Sequence, residues 1–66
     1  MNMKVETILN IIKEHQEEIK KSMDFNLEQF DKMPDFKEYY QKEYLICYYQ
    51  NVLLNEIKKE ILENIK

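Results

Sequence analysis

The chain has 66 residues, a net charge of −3 and a charged fraction of 35%. A single domain of that length buries about 60% of the surface its unfolded form exposes, and has no room for an enzyme cleft with its own water-excluding walls. The small, well-mixed negative balance excludes the clustered positive field that nonspecific binding to nucleic acid or anionic membrane needs.

The first predicted element is an amphipathic helix over residues 3–22. Val5, Ile8, Leu9, Ile12 and Ile19 recur at three- and four-residue steps, with Ile11 and Met23 at the edges. Glu6, Asn10, Lys13, Glu14, Glu17 and Lys21 fill the opposite side, and Glu17 and Lys21 are spaced for an i,i+4 pair. His15 falls on the apolar side, where a core or interface histidine is expected. Glu-x-x-His spacing for a di-iron bundle is missing, because position 12 is Ile.

Residues 23–26 interrupt the pattern. Asn26 with Gln29 at N3 resembles a capping box and predicts a short helix over 27–33, with Leu27, Phe30 and Met33 inward. Pro34 stops that helix, because the residue before a proline avoids the helical region. The same Pro34 suits N1 of a following helix. One continuous kinked helix is the alternative.

From Asp35 to about Ile65 nothing breaks a helix. On a wheel at 100° per residue, Phe36, Tyr40, Cys47, Leu54, Ile57, Ile61 and Ile65 form one stripe, flanked by Tyr39, Ile46 and Leu53. It is the expected seat for the first helix, and Glu43 and Gln50 interrupt it. A second stripe of about two turns lies on the other side: Leu45, Tyr48, Tyr49 and Val52. Lys42, Glu56 and Lys59 rim it. Aromatic enrichment with charge held to the edge is the composition of an interface core. Three occupants are open for it: the short helix 27–33, a second copy of the chain, or another protein.

The fold class expected is all-α, a single helical domain over 1–66. Two long antiparallel helices and a short middle one form a small bundle completed by dimerisation. Absences sharpen the functional reading. The composition lacks Gly altogether, which removes Rossmann and P-loop fingerprints. No catalytic, cofactor-binding or metal-ligating constellation is expected. Cys47 reads as a packed thiol, with no activating base beside it.

One cysteine permits no internal disulfide, so a cytoplasmic setting is expected. No apolar h-region and no run of ~20 apolar residues is present, so neither a signal peptide nor a membrane span is expected. Abundant Ile, Lys, Asn and Tyr beside missing Gly and Ala suggests an AT-rich genome. The functional expectation is a non-enzymatic protein–protein interaction module. It would be a phage or mobile-element inhibitor or a small bacterial regulator, homodimeric and acting by steric occupation of a larger host protein. The alternatives are a purely structural homo-oligomerisation module and a nucleic-acid-binding regulator.

Overall fold

The computed structural model describes residues 3–65. The protein is an all-α hairpin. Helix α1 spans Met3–Lys32, a single 3-10 turn spans Pro34–Phe36, and helix α2 spans Lys37–Asn64.

The turn follows from Pro34. Proline excludes Met33 from the helical region, and Met33 takes φ −124° and ψ 79°. Pro34 itself sits at the start of the 3-10 turn, where its missing N–H is no loss. The Met33 N–H donates to the Gln29 carbonyl at 2.8 Å, and the Phe36 N–H to the Met33 carbonyl at 3.0 Å. The chain therefore reverses without glycine and without a positive φ among the described residues.

The segment 27–33 is helical as expected through Lys32, but not as a separate helix. No break occurs at 23–26, and Asn26 caps nothing. It is one of the two most buried described residues, at 8% exposure. The reason is long-range. Val5, Leu9, Ile12, Gln16, Ile19, Met23, Asn26 and Phe30 recur at alternating four- and three-residue steps, all buried or half-buried. That spacing keeps one seam facing a neighbouring helix. A helix end at Asn26 would forfeit the last turns of the seam, and packing outweighs a local capping signal.

On α2 the seam takes Tyr40, Tyr44, Cys47, Asn51, Leu54 and Ile61, all half-buried. The two helices are thus matched in length, 30 and 28 residues, because α1 runs ten residues past the end expected at residue 22. Two helices side by side make a slab of 49 × 15 × 10 Å. The radius of gyration is 15.2 Å, against about 11 Å for a compact domain of this length.

Polar residues register the hairpin. Gln16 Nε2 donates to Asn51 Oδ1 at 3.1 Å and to Asn55 Oδ1 at 2.6 Å. At the loop end, the rings of Phe25 and Tyr40 meet edge-on, with centroids 6.4 Å apart. Lys37 Nζ lies 5.3 Å from the centre of the Phe30 ring. These cross-helix pairs have falling partner numbers, as an antiparallel pair requires.

Surface ion pairs are local. Lys21 joins Glu18 at 3.4 Å rather than Glu17. Lys32 joins Glu28 one turn earlier and places a cation in the last turn of α1, where the helix dipole favours it. The hydrogen bond from Lys32, and then its charge, hold the Glu28 carboxyl below the usual glutamate range. A lowered carboxylate pKa stabilises the fold above the ordinary glutamate value, and that contribution is lost as pH falls through the lowered one. Both side chains are exposed, so the contribution is small. Lys32→Met is expected to return Glu28 to the ordinary range in an NMR pH titration.

Candidate interaction surface

The seam uses little of the apolar surface the chain carries. Among the described residues Ile12, at 6% exposure, is the one buried hydrophobic side chain, whereas seventeen large hydrophobics are exposed. The accessible surface is 5655 Å², against roughly 4,500 Å² for a compact monomer of this mass. The difference reflects a slab two helices wide and one helix deep, with those hydrophobic side chains among what it exposes.

The slab has two broad sides, and the grooves beside the seam tell them apart. One groove is lined by Lys13, Gln16, Glu17, Lys20, Met23, Asn51 and Asn55. A second is lined by Asn26, Leu27, Phe30, Tyr40, Gln41 and Tyr44. Lys13, Lys20 and Leu27 of α1 therefore share a side with Gln41 and Asn55 of α2. Tyr48, seven residues from each of these last two, belongs there as well.

The seam's other flank carries Ile8, His15 and Ser22 of α1, and Phe36, Glu43, Gln50 and Ile57 of α2. Ile11 and Phe25, then Tyr39, Ile46 and Leu53, extend it outward. His15 is exposed on this side rather than packed in the core. Glu43 is half-buried and Gln50 exposed; neither is a seam residue, and the polar seam positions are Gln16, Asn26 and Asn51.

The stripe expected to seat the first helix is thus divided. Tyr40, Cys47, Leu54 and Ile61 enter the seam, while Phe36, Tyr39, Ile46, Leu53 and Ile57 stay exposed. Cys47 is a half-buried free thiol.

The second stripe is also open. Leu45, Tyr48, Tyr49 and Val52 are all exposed, Tyr49 at 65%. None of the described residues folds over them, because residues 27–32 continue α1 along the seam. The rings of Tyr48 and Tyr49 pack edge-on at 5.5 Å and 77°, an arrangement favourable to aromatic pairs. It holds two large amphipathic side chains together on one turn. Lys42, Glu56 and Lys59 are exposed on the same helix.

Sequence reasoning overlooked Gln16, whose amide ties the helices together, and the apolar flank formed by both helices. The signal for Gln16 was its position in the four–three spacing, four after Ile12 and three before Ile19.

Among the described residues no group of three or more His, Cys, Asp or Glu comes together. Among the described residues no helix is long and apolar enough to cross a membrane. Comparison with protein-family models, with curated proteins and with solved structures gives no match.

Proposed function

We propose that this chain is a non-enzymatic protein–protein interaction module that acts by covering a surface of a larger partner. The observation that carries the reading is the open patch of Leu45, Tyr48, Tyr49 and Val52 on a hairpin with almost no buried core. In this reading the four side chains enter a groove of the partner, and Lys42, Glu56 and Lys59 set their register. Tyrosine suits the role because it brings large, partly rigid contact area and a hydrogen-bonding tip.

An AT-rich composition favours a phage or mobile-element inhibitor, or a small regulator of a low-GC bacterium. A single unpaired cysteine fits a cytoplasmic setting. Nucleic acid is a weaker partner for the tyrosines: Lys37 is engaged with Phe30, and the net charge is −3.

The test is capture from a low-GC bacterial lysate with the wild type and with Tyr48→Glu/Tyr49→Glu, both shown to be helical. A larger protein held by the wild type and released by the variant is expected. The affinity should fall by at least about thirtyfold, the loss of a hot spot of ~2 kcal/mol. Recovery of the chain alone would overturn the partner reading. It would favour a purely structural homo-oligomerisation module, which the opposite apolar flank supports.

A further inference from the structure

We infer that the flank formed by Ile8 and Ile11 of α1 with Ile46, Leu53 and Ile57 of α2 is the face on which a second copy of this chain docks, making a four-helix bundle from two hairpins. This is a different side of the slab from the one bearing Tyr48, and the inference stands or falls separately from the partner reading.

Three observations select the occupant. The first is pattern. Phe36, Tyr39, Glu43, Ile46, Gln50, Leu53 and Ile57 recur at alternating three- and four-residue steps, the same spacing as the hairpin seam. A stripe of that period running most of a helix fits another helix of matching length, and a copy supplies two.

The second is area. The chain exposes 5655 Å², roughly 1,100 Å² more than a compact monomer of its mass, which exceeds the ~800 Å² each partner contributes to a standard stable interface. Leu53, at 58% exposure, is the most exposed of the five side chains.

The third is charge. Glu18 and Glu43 are the charges in the middle of this face, and Glu18 is already joined to Lys21. The other broad side carries Lys13, Glu17, Lys20 and Asp24 on α1 alone. In an isologous contact residues near the two-fold axis meet their own copies, so the side with fewer central charges is the one suited to self-association.

Sedimentation or light scattering at micromolar concentration tests this directly. The wild type is expected at twice its 8.2 kDa. Leu53→Glu is expected at half the wild-type mass with its helical circular dichroism retained, since Leu53 lies outside the seam. Tyr49→Glu is expected to stay dimeric. A monomeric wild type, or a Leu53→Glu protein that remains dimeric, overturns the inference.

Should Leu53→Glu lose its helices, the wild type still decides. In a dimer mixed from labelled and unlabelled chains, intermolecular NOEs are expected at the methyls of Ile8, Ile11, Ile46, Leu53 and Ile57. NOEs at Leu45 and Val52 instead would place the copy on the tyrosine patch and refute the assignment.

Discussion

Pro34→Ala is expected to open the hairpin into a domain-swapped dimer. Met33 is the one residue between α1 and the 3-10 turn, and proline is what bars it from the helical region. Alanine restores the missing N–H and is the best helix former. No glycine is present in the turn to favour reversal by itself. Helices α1 and α2 can then join into one helix over 3–64, roughly 93 Å long.

Each opened chain would offer the same two halves of the seam, and a second chain would complete them in place of the first. Seam contacts are nearly conserved between the two forms, so the turn alone holds the balance, and swapping is a low-cost route when a hinge is altered. Small-angle scattering is the measurement. A maximum dimension close to double the 49 Å of the hairpin is expected for Pro34→Ala. A variant that keeps the wild-type dimension would show that the seam, not proline, sets the reversal.

Ile12→Ala is the substitution expected to cost most stability. It removes the one buried hydrophobic side chain among the described residues, next to Gln16 in the seam. Truncating a buried isoleucine to alanine costs about 2–5 kcal/mol. A domain of this size has only about 3–10 kcal/mol in total. A fall in Tm of about 10 °C or more follows, at about 4–8 °C per kcal/mol for a domain this small.

Ile11→Ala is the control, since it changes the same side chain one position along the helix, where exposure is 48%. Thermal unfolding should be followed at protein concentrations low enough to keep the chain monomeric. There Ile12→Ala should be far less stable than Ile11→Ala. Equal losses would mean that the seam is not where the hairpin's stability resides.

The tests at the two surfaces separate cleanly. Tyr48→Glu/Tyr49→Glu addresses capture of a larger protein, and Leu53→Glu addresses self-association. A chain that loses one property and keeps the other would use its two broad sides for different partners. Such a division suits a slab too thin to bury its own apolar residues.

How much was legible beforehand depends on the range over which each signal acts. Pro34 is a local constraint on φ and on its neighbour, and it marked the end of a helix correctly. The unbroken run from Lys37 to Asn64 is likewise local, since nothing in it interrupts a helix. Asn26 is the counter-example. Its side chain suits a cap, but the seam residues Met23 and Phe30 on either side of it hold the helix straight, and only the opposite helix makes that worthwhile.

The stripe on the last helix failed in a related way. A wheel at 100° per residue drifts by about 20° per heptad against a 3.5-residue repeat. It therefore merged Tyr40, Cys47, Leu54 and Ile61 with Phe36 and Ile57, which the hairpin leaves outside. The two-turn patch at Leu45, Tyr48, Tyr49 and Val52 is short enough for the drift to be small, and all four side chains are exposed.

By itself the sequence determined an all-α chain, the helix end at Pro34 and the excess of apolar surface over what two helices can bury. These follow from backbone sterics at one proline, from residue period and from composition. Only the tertiary structure decided which apolar residues meet. That choice rests on the register of two helices, held by Gln16 with Asn51 and Asn55, and leaves Ile8, Ile46 and Leu53 on one broad side and Tyr48 on the other. Register joins residues more than thirty positions apart, and no local pattern in either helix contains it.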